Sequence, residues 1–184
     1  QDVDHITKKV DELFKYDIEC IDEGIYPMTV LLPQSPLDHL TTLRKVYVDG
    51  LKIAYRKLFK QTKSFSKPAQ KLLQDLPDYY QRNFHFQTDG YLSEGSADIY
   101  DHQVELLFKG TSHAMRRIFL KDMKEFFAGH EKIHILEVAC GTGSATEFLI
   151  KTFPNAKITC LDLSPTYIKK AQKNLHKYSN IDFV

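Results

Sequence analysis

Two carboxylates and two glycines hold the chemistry that can be read from this chain. Glu137 lies near the end of a β-favouring run, Ile133 to Val138, which is followed at once by ACGTG with Gly141 and Gly143. Asp162 stands 19 positions beyond Gly143, at the end of a second such run from Lys157 to Leu161. Glycines adopt torsions denied to other residues and let a ligand reach the backbone without meeting a Cβ. A helix expected to begin near Ser144 would leave the amides of Thr142 to Ala145 unpaired and pointing toward that approach. An acid at the tip of the second strand is placed to accept from both hydroxyls of a ribose.

The elements that must position these groups form a regular series. After the first strand comes a helix with Ala145, Phe148 and Leu149 on one face. After the second comes a helix opened by Ser164 and Pro165, with Ile168, Ala171, Leu175 and Tyr178 on one face, and a third strand begins at Ile181 with Phe183 and Val184. Strand, helix, strand, helix, strand at this spacing predicts right-handed parallel crossovers in an α/β fold, with a ligand beyond the carboxyl ends of the strands. Residues 1–129 instead carry helical periodicities with aromatic interruptions. Val10, Leu13, Phe14 and Ile18 form one stripe of a first helix, stopped by Gly24 and Pro27. Leu37 to Leu58 repeat at three and four behind a Ser35-Pro36 start, and Pro68 opens a short helix through Leu72 and Leu73. A further helical turn is expected around Tyr79 and Tyr80. Residues 84–95, FHFQTDGYLSEG, break the period and keep Phe84, Phe86 and Tyr91 together, as a loop folded over something would. Ser96 is expected to cap a helix through Tyr100, Val104, Leu107 and Phe108, ended by Gly110. Thr111 is expected to cap another, with a packed stripe of Met115, Ile118, Phe119, Met123 and Phe126.

The glycine spacing counts against a dinucleotide. A GxGxxG loop starting at Gly141 requires glycine at position 146, where this chain has Thr146. Glu137 would oppose a pyrophosphate yet could pair with an ammonium. A ligand with ribose hydroxyls, no phosphate and a cationic amino-acid end meets these conditions, and S-adenosylmethionine is such a ligand. EVACGTG followed by LDLSP resembles the first two motifs of class I S-adenosylmethionine-dependent methyltransferases. That resemblance covers about 50 residues and implies a Rossmann-like core in 130–184 comprising strands 3-2-1 of the usual seven, a doubly wound sheet left partial. It assigns the methionyl part to the loop of Ala139, Gly141, Thr142 and Gly143, its amino group to Glu137, the ribose to Asp162 and the adenine face to Leu163. Ala139 replaces the family's usual first glycine, and Glu137 its commoner Asp. Upstream, NFHFQTDGYLSEGSADIYDHQVELLF is similar to the helical cover that precedes the core in one methyltransferase branch. This makes 1–129 a helical cap and Tyr91, Ser93, Tyr100 and Asp101 candidates for the methionyl end or the acceptor. His102 and His85 are candidate bases, and no catalytic residue is assigned.

Composition narrows the remaining classes. There are 25 Lys plus Arg against 24 Asp plus Glu, a formal charge of +1, and the basic residues Arg56, Lys57, Lys60, Lys63 and Lys67 make only a modest patch. Nucleic acid is therefore not the expected partner, and a small-molecule methyl acceptor is. Cys20, Cys140 and Cys160 are odd in number, lack metal-ligand spacing and fit a reduced, cytoplasmic protein with no metal. No run of about 18 apolar residues could span a membrane. A sheet of strands 3-2-1 would leave strand 1 as an edge, so the chain is expected to be truncated and inactive alone. A missing C-terminal half or a second copy would complete the sheet. An NAD-type oxidoreductase fragment and a non-catalytic, strand-exchanged interaction module are the alternatives.

Overall fold

The computed structural model of the protein describes residues 2–31, 67–73, 76–77 and 90–184. Helix α1 spans Asp2–Asp22 and leads through a turn into a 3-10 segment at Met28–Leu31. Helix α2 is Lys67–Leu72, α3 is Glu94–Leu107, α4 is Ser112–Arg117 and α5 is Leu120–Phe126. The α/β series follows: β1 His134–Val138, α6 Ser144–Thr152, β2 Lys157–Leu161, α7 Pro165–Asn174 and β3 Ile181–Phe183. The periodic helix of 37–58, Arg56, Lys57, Lys60 and Lys63 of the basic patch, the turn at Tyr79 and Tyr80, and Phe84, His85 and Phe86 of the cover loop lie outside the described residues.

The three strands form one parallel sheet in the spatial order β1-β2-β3, which makes β1 and β3 its edges. Glu137 lies opposite Cys160 and Val138 opposite Leu161, so the carboxyl tips of β1 and β2 are level. Side chains alternate across the sheet. Ile135, Ile158, Cys160 and Ile181 point into a core with Phe148 and Leu149 of α6 and Leu175 just beyond α7. Leu136, Val138 and Leu161 project from the opposite face and are exposed, Leu136 and Val138 at 63% each. Parallel strands are usually buried on both faces, and among the described residues one face is covered here.

Helices α1 and α5 extend the same core, since Cys20, Tyr26 and Leu120 belong to one buried cluster with Ile135, Phe148 and Ile158. Three expectations about the helices change. On α1, Asp17 and Cys20 turn inward while Phe14 and Ile18 are exposed. The face is set by Asp17, which receives Nε of Arg117 at 2.8 Å, Nη2 of Arg117 at 2.5 Å and the Tyr26 hydroxyl at 2.6 Å. With Asp17 inside, Arg117 and Tyr26 have to meet it, because a buried charge left without its partner is strongly destabilising.

The same pair turns the stripe of Met115, Ile118, Phe119 and Phe126 outward, because Arg117 and its inward neighbours Ala114 and Leu120 occupy the buried face. The expected single helix there is two helices, with the Ile118 amide reaching back only to the Met115 carbonyl at 3.4 Å. Thr111 occupies the N-cap position without a side-chain cap, its hydroxyl donating to Phe108 O at 2.8 Å. Finally, α3 is capped by Ser93, whose Oγ accepts the Ser96 amide at 3.1 Å. Ser96 is buried and donates to the Gly90 carbonyl. Leu107 and Phe108 at the end of α3 are exposed, and Ser96, Ala97 and Ile99 are its buried residues.

Candidate functional site

The loop after β1 is built from left-handed torsions: φ is +61° at Ala139, +60° at Gly141 and +83° at Gly143. The Cys140 amide donates to Leu161 O at 3.1 Å, carrying the β1 to β2 pairing one step past the strand, and the chain then turns into α6. The two glycines serve different ends. A Cβ on Gly143 would lie 2.7 Å from Leu175 Cδ1 and 3.3 Å from Ala171 Cβ, so this glycine lets the loop rest against α7 and the residue following it. A Cβ on Gly141 would have Tyr167 Cδ1 as its nearest neighbour at 4.0 Å, which leaves space above the backbone. The Gly143 amide, expected to face a ligand, instead donates within the loop to Cys140 O at 3.1 Å, because the tight turn uses it.

Asp162 fastens this loop to the tip of β2. One carboxylate oxygen accepts the Gly141 amide at 2.9 Å and the other the Ser164 amide at 2.8 Å. Each oxygen keeps further acceptor capacity, since an ionised carboxylate offers about four lone-pair positions. Ser164 caps α7 by accepting the Tyr167 amide at 3.3 Å, and its hydroxyl donates to the Tyr91 carbonyl. Leu163 between them is exposed beside the site.

Glu137 is largely enclosed and receives the hydroxyl of Thr146 at 2.6 Å. Burial pushes its pKa up, while the Thr146 hydrogen bond and the charge of Arg116 pull in the other direction. Thr146 is fully buried, and its hydroxyl also lies 3.5 Å from Cys160 Sγ. The residue occupying the third-glycine position is thus a built partner of Glu137. In the sequence Thr146 counts only against a dinucleotide; its spacing from Glu137 across a strand-to-helix turn is the signal for this pairing.

Helix α3 brings the upstream candidates over the loop. Asp101 Oδ2 accepts the Thr142 hydroxyl at 2.6 Å, and Oδ1 lies 3.2 Å from Nη1 of Arg116. Thr142 O in turn accepts Asn174 Nδ2 at 2.9 Å. Tyr91, Tyr100 and Tyr167 meet edge to face, with ring centroids 6.0, 5.4 and 5.4 Å apart. Burial raises the pKa of both Tyr91 and Tyr100, and the Asp162 charge contributes in the same direction, so both hydroxyls stay protonated donors at neutral pH. Ser93 serves as a helix cap, and His102 sits half-buried on α3. Arg116, Thr146 and Tyr167 are the members of this cluster that the motifs did not single out.

Residues 135–184 match the family described as methyltransferase domain. The chain is similar to the malonyl-[acyl-carrier protein] O-methyltransferase of Halalkalibacterium halodurans, 35% identical over 83 residues that make up 42% of this chain and 31% of that one. It is also similar to the demethylmenaquinone methyltransferase of Chlorobaculum tepidum, 36% identical over 88 residues, 48% of this chain and 35% of that one. The solved DhpI-SAH complex is 26% identical, with a TM-score of 0.34 over 50% of this chain and 39% of that one. The chain spans about a third of the length of the curated relatives it matches. No helix among the described residues is long and apolar enough to cross a membrane.

Proposed function

We propose that this protein, whose residues 135–184 form part of a class I S-adenosylmethionine-dependent methyltransferase domain, binds S-adenosylmethionine across the tips of β1 and β2 and that the whole protein methylates a small-molecule acceptor. The observation that carries the cofactor reading is the placement of two acids at level tips of adjacent parallel strands, with Thr146 donating to Glu137 where a dinucleotide loop requires glycine. Asp162 would take the ribose hydroxyls, Leu163 the adenine face and Glu137 the ammonium. The open backbone at Gly141 would receive the ligand between Ala139 and Thr142, and Tyr91 and Tyr100 would wall the site. These residue types fit the cofactor: spare acceptor capacity on the acids, an unobstructed glycine and an aromatic wall.

S-adenosylmethionine supplies a methyl group on a sulfonium that leaves readily, so the protein's share is alignment and exclusion of water. Residues 1–129 would act as the cap that performs it, held to the loop by the Asp101 to Thr142 hydrogen bond and to α7 by Lys170 Nζ on Asp98 at 2.6 Å. The acceptors named for the relatives, malonyl-[acyl-carrier protein] and demethylmenaquinone, differ in kind, and for this protein we keep the acceptor at the level of a small organic group. The free and buried Cys20, Cys140 and Cys160 accord with a reducing, cytoplasmic setting. Further strands, of the same polypeptide or of a second copy, would complete the sheet beside β1.

Calorimetric titration with S-adenosylmethionine, S-adenosylhomocysteine and NAD tests the cofactor. Both adenosyl amino acids are expected to bind and NAD not to, with Asp162→Ala weakening them by about tenfold or more through the lost charged hydrogen bonds. Tight NAD binding without the sulfonium ligand would overturn the proposal.

A further inference from the structure

Two of the three cysteines meet beneath the glycine loop. Cys160 points from β2 into the core on the same side as its register partner Glu137, and strand alternation alone would send Cys140 to the opposite face. The left-handed torsion at Ala139 breaks that alternation and brings Cys140 into the same buried cluster as Cys160. We propose that these two thiols form a redox site that a peroxide closes to a Cys140–Cys160 disulfide, and that closure weakens cofactor binding, a consequence that rests on the cofactor assignment above.

The backbones carrying the two sulfurs are already joined, since the Cys140 amide donates to Leu161 O at 3.1 Å. Adjacent strands run about 4.8 Å apart, inside the limit of about 7 Å between the Cα atoms of a disulfide. The hydrogen bond between the thiols, with burial behind it, pushes the Cys140 pKa up. The same bond, aided by Thr146, holds Cys160 below the ordinary thiol value against burial. Cys140 is 7% exposed and Cys160 0%, so Cys140 is the sulfur that meets an oxidant. It loses its proton and attacks one peroxide oxygen, the O–O bond breaks, and a sulfenic acid and one water (or alcohol) form. Cys160, the more readily ionised sulfur, then attacks the Cys140 sulfur and expels the hydroxyl as a second water, so two thiols are oxidised and one peroxide is reduced. Cys20 sits instead beside Tyr16 and Tyr26. Closure reaches both acids of the site. The Thr146 hydroxyl that donates to Glu137 at 2.6 Å lies 3.5 Å from Cys160 Sγ, and Cys140 adjoins Gly141, whose amide Asp162 accepts at 2.9 Å. Drawing the sulfurs to covalent distance moves both supports.

Peptide mapping of the full chain tests the site without any ligand. After hydrogen peroxide, cleavage at lysine is expected to give the segment following Lys132, which holds Cys140, joined to the segment following Lys157, which holds Cys160. The joined pair should weigh about 2 Da less than its parts, the two hydrogens lost, and dithiothreitol should separate it. Cys20→Ser should give the same product, whereas Cys160→Ser should add oxygen to the Cys140 segment instead. Calorimetry then compares S-adenosylhomocysteine binding before and after peroxide. The unaltered protein is expected to weaken by about tenfold or more and to recover on reduction, while in Cys140→Ser the before-to-after ratio should stay near one. A disulfide to Cys20, or no joined segments in the unaltered protein, would overturn the redox site. A mapped Cys140–Cys160 disulfide with unchanged affinity would overturn its effect on binding and leave the cofactor assignment standing. Failure of the reduced protein to bind S-adenosylhomocysteine would remove that assignment and the effect on binding together, with the disulfide itself still decided by the mapping.

Discussion

Gly141 and Gly143 are two residues apart and answer different physical demands, so their substitutions should separate. Gly143→Ala combines a left-handed torsion with a 2.7 Å approach to Leu175 and is expected to cost roughly 2 kcal/mol or more, read by urea unfolding. Gly141→Ala meets no such neighbour and should cost about 1 kcal/mol for its torsion, with the larger loss in S-adenosylhomocysteine binding. Glu137 gives a pH signature. Because burial raises its pKa, its share of the stability is full below the ordinary carboxylate value and fades as pH climbs through the raised one. Affinity for a ligand ammonium runs the other way, increasing with pH over that window, and Glu137→Gln should flatten the increase. A pH series of titrations on both proteins checks this, and identical slopes would count against the pairing.

Among the elements, α1, α4 and the turn after α1 are joined by Asp17, Arg117 and Tyr26. Removing one partner leaves a buried charge uncompensated, and Asp17→Ala should cost roughly 3–5 kcal/mol. Burial alone would raise the Asp17 pKa, but the hydrogen bonds from Arg117 and Tyr26 hold it below the usual carboxylate value. A depressed carboxylate contributes stability above its unfolded pKa and loses it as pH falls through the folded one. Acid unfolding should therefore steepen below about pH 4 in the parent, from the ordinary Asp value, and be shallower in Asp17→Asn. This trio is also why the helix faces were misread. A stripe at three and four spacing identifies an apolar side of a helix, but Phe14, Ile18, Ile118 and Phe126 gave way to a polar pair separated by 100 residues. Short-range periodicity carries no term for such a partner.

At the scale of the molecule, the described residues cover one face of the sheet. Leu136 and Val138 on β1 and Leu161 on β2 form an apolar face with no helix upon it among the described residues, and β1 is an unpaired edge. A polypeptide limited to residues 1–184 is expected to self-associate through this surface as its concentration rises. Leu136→Thr with Val138→Thr puts residues of high strand propensity at both positions and should shift the species toward monomer in sedimentation or light scattering. Unchanged association would place the contact elsewhere.

The βαβαβ series, the cap at Ser164 with Pro165, and the glycine loop between two acids were all legible in the sequence. Each depends on neighbours within a few residues: alternation for strands, three and four spacing for helices, torsional freedom for glycine. Only the tertiary structure decided that Gly143 makes room for Leu175, that Thr146 serves Glu137, and that Asp101 spans Arg116 and Thr142. It alone showed that Arg117 pairs with Asp17 in the core while Arg116 pairs with Asp101. Those choices depend on where a hydrogen-bond or packing partner arrives from a distant part of the chain, and the energy of a polar group inside a protein is set by that partner.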